Sequence, residues 1–178
     1  MHYQQWILLA VTAVFGAGVI ISYIQGIQAN PGAAEKLWGN VSGSLRSVNY
    51  ITMLLAVVGF FLFTYYLFFR TDPSVARVAG TLDFWVFIVI YALILLPSAF
   101  WMPLTFSVLG SRSTFTWVSV RVVLFIVGFA SLALTIALLT MQPRNPDTAY
   151  WLAVAGAALF SVQTLIMDAF IWAANFKH

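Results

Sequence analysis

Residues 116–141 read TWVSVRVVLFIVGFASLALTIALLTM, a run in which Arg121 is the one charged side chain. A helix that spans a bilayer needs roughly 20 mainly apolar residues to cross about 30 Å of hydrocarbon, and this run exceeds that length. Four further runs of the same kind lie at about residues 6–27, 48–69, 82–106 and 148–176. The sequence therefore predicts an all-α, polytopic integral membrane protein. Residues 1–178 form a single domain, a bundle of five transmembrane helices.

The composition supports this class and excludes several kinds of chemistry. Apolar residues make up 62% of the chain and charged residues 7%, whereas soluble domains carry roughly 25% charged residues. The net charge of +3 is small and dispersed, so nucleic acid is not an expected partner. Cysteine is absent, which excludes disulfides, thiolate catalysis and iron–sulfur clusters.

The first connection between the predicted helices is longer than the others. It covers about residues 28–47, roughly 20 residues, and connections of that length act as functional lids or are disordered. It contains the apolar residues Leu37 and Trp38, and a short interfacial helix is expected over residues 33–38. An odd number of spans places the two termini on opposite sides of the membrane. We name the N-terminal side side A and the C-terminal side side B.

Loop charges do not determine which side faces the cytoplasm. Three basic residues lie on side A and four on side B, namely Arg70, Arg77 and Arg144 against Lys36, Arg46, Arg112 and Lys177. The positive-inside rule requires an excess on one side and therefore gives no orientation. Most of the tryptophans near helix ends are expected in an aromatic belt at the headgroup level. These are Trp6, Trp85, Trp101, Trp117, Trp151 and Trp172.

Two opposite charges lie at matched depth in the last two predicted helices. Arg121 and Asp168 are both about 7–12 Å below the side-B boundary at the α-helical rise per residue. Charged groups within spans are costly and usually face the bundle interior or a cavity. The sequence therefore predicts an ion pair between Arg121 and Asp168. It serves either as a structural clamp or as part of a site, and the remaining alternative is that Arg121 reaches the headgroups alone.

The end of the third predicted helix carries two prolines, Pro97 and Pro103, in an apolar span. Each proline removes a backbone donor and leaves a carbonyl that needs another partner. Ser98, Trp101 and the Arg121–Asp168 pair are then expected at one level, beneath the first connection. An aromatic cleft with a few polar groups suits a flat apolar ligand. The alternative is a proline kink that serves packing only.

Other functional chemistry is sparse. The two histidines, His2 and His178, lie on opposite sides, so one chain cannot provide a pair of intramembrane histidines for haem. No pair of carboxylates and no cluster of His, Asp and Glu indicates a metal site. No catalytic residue is predicted, and enzymatic activity is left undecided.

The layout resembles the translocator protein family, the tryptophan-rich sensory proteins (TspO/MBR), which have five transmembrane helices and a long first connection over a ligand pocket. The family's third helix carries a pattern like Asn-Trp-Ala-Trp-Pro-Pro-x-Phe-Phe. Residues 98–106, SAFWMPLTF, resemble it at the second Trp, the second Pro and the last Phe. Residues 167–172, MDAFIW, resemble the end of the family's fifth helix, with Asp168 where the family has Asn.

The resemblance implies a ligand and four of its contacts. The ligand is a tetrapyrrole such as protoporphyrin IX or heme, or a sterol-like lipid, and no other cofactor is required. The resemblance carries over Trp101, Pro103, Asp168 and Trp172. Family members often dimerise, so a homodimer or a larger membrane complex is expected. The complete set of predicted ligand-binding residues is Trp38, Ser98, Trp101, Pro103, Arg121, Asp168 and Trp172.

Two functions follow from these observations. The first is a membrane receptor or carrier that binds a flat hydrophobic molecule in an intramembrane pocket on side B. The second is a structural or accessory subunit of a larger membrane complex, without a ligand of its own. A transporter or channel subunit is the weaker alternative, because five spans with one buried acid show no evident pathway.

Overall fold

The computed structural model describes residues 1–111 and 113–176, and at positions 33 and 34 it describes the backbone only. Arg112, Lys177 and His178, which the sequence assigns to side B, lie outside the described residues. Within the described residues, five helical spans are long and apolar enough to cross a membrane. They are α1 (Tyr3–Ala29), α3 (Gly43–Phe69), α4 (Trp85–Ser111), α5 (Thr114–Thr140) and the fifth span, Thr148–Asn175. The predicted all-α five-helix fold is confirmed.

The fifth span is composite. It begins as α6 (Thr148–Ser161), continues as a π-helical segment (Val162–Trp172) and ends as α7 (Ala173–Asn175). The shorter elements are α2 (Ala33–Leu37), which occupies the position expected for an interfacial helix, and two strands. The strands β1 (Arg77–Val78) and β2 (Met141–Gln142) pair antiparallel on side A.

Local capping groups define two of the helix starts that differ from the predicted ones. The second span begins at Gly43 rather than near residue 48, since the Ser42 hydroxyl accepts a hydrogen bond from the Leu45 amide at 3.5 Å. The third span begins at Trp85 rather than near residue 82. There the Asp83 carboxylate accepts a hydrogen bond from the Trp85 amide at 2.9 Å. Polar caps therefore define these two starts more closely than hydropathy does.

The five spans pack in the order α1, α4, α5, fifth span, α3. The α1 helix meets α3 on side A, where the Gln5 side chain donates to the carbonyls of Leu67, Phe68 and Thr71 at 3.3, 2.9 and 3.1 Å. The buried residues of α1 are Gln4, Gln5 and Leu8, all in its first turns. Beyond them α1 packs along α4 and not along α3. The gap between α1 and α3 in the side-B half is named the α1–α3 groove.

Close contacts hold the fifth span against α3 and α5. Gly59 of α3 and Gly156 of α6 approach so closely that a Cβ on Gly59 would lie 2.9 Å from the Gly156 carbonyl carbon. Small residues of this kind allow helix backbones to meet in lipid. The hydroxyl pairs Ser131–Thr164, at 2.7 Å, and Thr135–Ser161, at 3.0 Å, join α5 to the fifth span. The fifth span is thus held between α3 and α5.

Candidate functional site

The π-helical segment places Gln163 and Asp168 on one face of the fifth span. In an α-helix, residues five apart differ by about 140° around the axis at 3.6 residues per turn. In a π-helix the backbone hydrogen bonds run from residue i to i+5, which stacks such residues. The Gln163 Nε2 group accordingly donates to Asp168 Oδ1 at 2.8 Å. The irregular backbone therefore positions the one acid within the fifth span.

Gln163 connects Asp168 to α3. Its Nε2 group donates a second hydrogen bond to Asn49 Oδ1 at 3.1 Å, and its Oε1 atom accepts from the Thr52 hydroxyl at 2.5 Å. Asn49 and Gln163 are 2% and 4% exposed, so the network lies inside the bundle. Both amide hydrogens of Gln163 are used, which orients the side chain and leaves it no spare donor.

Two groups of this network lack a partner among the residues that the structure describes. They are the second carboxylate oxygen of Asp168, an acceptor, and the Asn49 Nδ2 group, a donor. Asp168 and Thr52 are partly exposed, although both lie at membrane depth. Polar groups left unsatisfied in a region of low dielectric are costly unless a ligand, water or protein group completes them. The network between α3 and the fifth span therefore retains unsatisfied donor and acceptor capacity.

Aromatic rings lie between the side-B halves of α1 and α4. Tyr23 is the ring that α1 contributes. Its ring is 5.5 Å from the ring of Trp101 on α4, measured between centroids. Among the described residues, the Trp101 Nε1 group is buried without a hydrogen-bond partner. It is a second unsatisfied donor, in addition to the Asn49 Nδ2 group.

Trp101 also lies at the edge of a group of packed rings. We name this group the aromatic cluster and define it as Trp101, Trp117, Trp172 and Phe176. The Trp101 and Trp172 rings meet edge to face at 5.5 Å, and Trp172 lies 4.7 Å from Phe176. Trp117 stacks on Phe176 at 5.4 Å. Trp117 and Trp172 are 8% and 5% exposed. These rings pack against one another at the side-B end of the bundle.

The first connection is fastened onto the aromatic cluster. The Trp172 Nε1 group donates to the Leu37 carbonyl at 2.7 Å, and the Asn40 amide donates to the Asn175 carbonyl at 2.9 Å. Trp38 packs against the cluster and meets the Tyr50 ring edge to face at 5.0 Å. The connection therefore covers the side-B end, as its length predicted, and Trp38 is part of the cover.

An ion pair also fixes the first connection. The Arg46 guanidinium lies 5.3 Å from the centre of the Trp38 ring and pairs with Glu35 at 3.0 Å. Both charges lie on the solvent side of the cover, where an ion pair contributes little stability. Its effect is to orient Trp38 against Tyr50.

The predicted ion pair between Arg121 and Asp168 is wrong. The Arg121 guanidinium lies over the Trp117 and Phe125 rings, 6.0 and 5.5 Å from their centres, and its Nε group has no hydrogen-bond partner. Phe125 contacts Phe170, so this side of α5 meets a different face of the fifth span from the one that carries Asp168. The π-helical segment instead directs the carboxylate toward Gln163, which bonds to α3.

The two prolines do not interrupt α4, which runs through both Pro97 and Pro103. The Ser98 hydroxyl donates to the Ile94 carbonyl of its own helix at 2.6 Å. The Ser98 hydroxyl therefore bonds within its own helix. Pro103 follows Trp101 by two positions inside α4.

The tryptophans on side A are more exposed than Trp117 and Trp172 on side B. Trp6, Trp85 and Trp151 on side A are 59%, 39% and 55% exposed, as expected for an aromatic belt. On side B, Trp117 and Trp172 are buried and belong to the aromatic cluster. The belt thus stays a prediction for the exposed side-A rings, whereas Trp117 and Trp172 on side B are buried because they pack against other rings.

Two open depressions lie on the other side of the bundle. One of about 510 Å³ is lined by Met1, His2, Gln5 and residues 68–73, and one of about 320 Å³ is lined by Tyr66, Phe69, Arg70, Asn145 and Asp147. Both are on side A, and neither contains a predicted ligand-binding residue. In the part of the chain that the structure describes, no three His, Asp or Glu residues are grouped to hold a metal ion.

Comparison with known proteins gives no relative. No family model, no curated protein and no solved structure matches this chain.

Sequence reasoning missed Tyr23, Asn49, Thr52 and Gln163. The signal for two of them was present, because Asn49 and Gln163 are amides within apolar spans, and such side chains hydrogen-bond across helices in membranes. Their meeting with Asp168 depends on the π-helical backbone, which α-helical spacing does not predict.

Proposed function

We propose that this chain is a membrane receptor or carrier that binds a hydrophobic small molecule in the α1–α3 groove on side B. The observation that carries the proposal is the Asp168 carboxyl. It lies at membrane depth, partly exposed, with one oxygen held by Gln163 and the other available. Polar groups of this kind inside a span are functional by default, since their burial is otherwise unfavourable.

The packing of α1 supports lateral entry from the lipid. Only 6% of its most apolar stretch is buried, and in its side-B half it packs along α4, where Gly18 lies next to Ala99. A ligand that enters between α1 and α3 meets the Tyr23 and Trp101 rings first and the Asp168 carboxyl behind them. The first connection closes the site toward the aqueous phase through Trp172 and Leu37.

The resemblance to the translocator protein family supports a flat ligand, either a tetrapyrrole or a sterol-like lipid. In that case Trp101 and Trp172 supply aromatic surface, and Asp168 meets a polar group on the ligand. Aromatic walls with a few convergent polar groups are the usual form of such sites.

Ligand binding is tested by titrating the protein in lipid nanodiscs with protoporphyrin IX and with a sterol. Tryptophan fluorescence and, for the porphyrin, its absorption band report occupancy. Saturable micromolar binding that weakens in Asp168→Ala and in Trp172→Phe supports the proposal. Trp151→Phe, which alters an exposed side-A ring, serves as the control. A folded wild-type protein without a saturable signal for any hydrophobic ligand contradicts it.

The second candidate function is a subunit of a larger membrane complex. The outward face of α1 favours it, because Val14, Ile20 and Ile24 are 64%, 62% and 50% exposed and have no partner helix on that side. A partner helix would cover this face without filling the α1–α3 groove. Co-purification of a second protein after mild detergent extraction, lost when Ile20 is changed to Asn, supports this function.

A further inference from the structure

The Asp168 carboxylate has no cationic partner among the residues that the structure describes. Arg46 pairs with Glu35, and Arg70 pairs with Asp147. Arg77 and Arg144 donate to backbone carbonyls on side A. Arg121 lies over aromatic rings. Each of these guanidinium groups is thus engaged away from the α1–α3 groove.

An unpaired carboxylate in this environment favours a ligand of positive charge. Transfer of a carboxylate from water into an apolar region costs several kcal/mol after relaxation, and one hydrogen bond from Gln163 offsets only part of that cost. A cation placed against the free oxygen offsets far more.

The aromatic rings beside Asp168 select for the same charge. The faces of Tyr and Trp rings attract cations, and the attraction is strongest where water is excluded. Tyr23 contacts Trp101, and Trp101 contacts Trp172, which follows Asp168 by four positions in the fifth span. A compact metal cation is disfavoured there, because it prefers several oxygen ligands and one carboxylate is present. An organic cation with an apolar body uses both the rings and the carboxylate.

We propose that the α1–α3 groove binds a hydrophobic organic cation, with Asp168 as its counter-ion and the rings of Tyr23 and Trp101 against its charged centre. This inference rests on the proposed function and assigns the class of its ligand. The Gln163 amide then fixes the first carboxylate oxygen, so that the second faces the cation.

The test measures binding of tetraphenylphosphonium to the full chain in nanodiscs of zwitterionic lipid, by equilibrium dialysis. Tetraphenylborate, which has the same shape and the opposite charge, is the matched ligand. Asp168→Asn removes the charge, and Asp168→Glu retains it. Asp83→Asn removes one negative charge from side A and keeps an oxygen for the cap at Trp85. Thermal unfolding and size-exclusion chromatography establish that each variant is folded.

The expected result is saturable binding of tetraphenylphosphonium to the wild type and to Asp83→Asn, with affinity lower by about tenfold or more in Asp168→Asn. Asp168→Glu binds more tightly than Asp168→Asn, and tetraphenylborate does not saturate any variant. Equal binding of the cation to the wild type and a folded Asp168→Asn overturns the inference. So does the absence of saturable cation binding to the wild type.

The two proposals fail in different ways. If protoporphyrin IX or a sterol binds with dependence on Asp168 while tetraphenylphosphonium does not, the ligand class is wrong and the proposed function stands. If neither the cation nor the neutral and anionic probes bind saturably to the folded wild type, both proposals are wrong.

Discussion

Gln163 and Asp168 form a hydrogen bond of 2.8 Å across five positions of one helix, which an α-helical backbone does not permit. The π-helical segment Val162–Trp172 makes it possible, and π-helical turns are frequent at functional sites. The same amide reaches Asn49 on α3. The one acid in the fifth span is therefore held by a helix irregularity and a neighbouring helix together.

Replacement of Gln163 by Leu should destabilise the bundle and weaken ligand binding. It leaves Asp168 Oδ1 and Asn49 Oδ1 without their donor. We expect a loss of about 1–2 kcal/mol in the free energy of unfolding, the upper part of the range for polar contacts between membrane helices. Reversible unfolding in mixed detergent measures it. Gln25→Leu, at an exposed position on α1, is the control, and an equal loss in both variants would rule out the network as the cause.

Removal of the indole donor of Trp172 should loosen the first connection. Trp172→Phe keeps an aromatic ring at this position, though a smaller one, and loses the hydrogen bond to the Leu37 carbonyl. Proteases cleave segments that open locally, so trypsin should cut after Lys36 several-fold faster in this variant. Mass spectrometry of timed digests gives the rate. Trp151→Phe should digest like the wild type, and an unchanged rate in Trp172→Phe would show that this bond does not hold the cover.

Gly59 should not tolerate a side chain. A Cβ at this position would lie 2.9 Å from the Gly156 carbonyl carbon, within backbone that cannot move aside locally. Overpacking of this kind costs about 1–3 kcal/mol. Gly59→Ala should therefore lower the unfolding midpoint, whereas Gly16→Ala, with no atom within 4 Å of the added carbon, should not. Equal midpoints for the two variants would contradict the close approach of α3 and α6.

Acid should weaken the side-A contacts through Asp147. The backbone amide of Tyr150 and then the Arg70 guanidinium hold the pKa of the Asp147 carboxyl below its usual range. A carboxyl with a lowered folded pKa stabilises the fold above its unfolded pKa, and this stabilisation is lost as pH falls through the folded value.

Asp147→Asn should consequently show a smaller fall in unfolding midpoint below about pH 4 than the wild type, because Asn keeps the cap and has no titrating charge. Thermal unfolding followed from pH 6 to pH 3 measures the difference. Hydrogen bonds from Ser74 also lower the pKa of Asp72, and Asp72 continues to titrate in the variant. The fall in unfolding midpoint at low pH is therefore reduced and not abolished. Identical pH profiles would remove Asp147 from the acid response.

The fold was predictable because hydropathy alone selects five spans, and lipid leaves few alternatives for an apolar chain. The site was predictable only in part. Trp101, Trp172 and Trp38 lie together at side B as predicted, since aromatic rings at matched depth pack readily. Arg121 was misplaced, because α-helical spacing gives the wrong face for Asp168. Asn49 and Gln163 are visible in the sequence as amides within apolar spans, and such side chains hydrogen-bond between helices.

The most direct test of the central claim is a map of where a hydrophobic ligand sits. A diazirine-bearing sterol and a diazirine-bearing hydrophobic amine are cross-linked to the protein in nanodiscs, each with and without an excess of its unlabelled parent. The account predicts that competed cross-links from at least one probe fall on the α1–α3 groove, at or next to Tyr23, Thr52 and Asp168. Cross-links confined to the outward faces of the helices, or unaffected by competition, would contradict it.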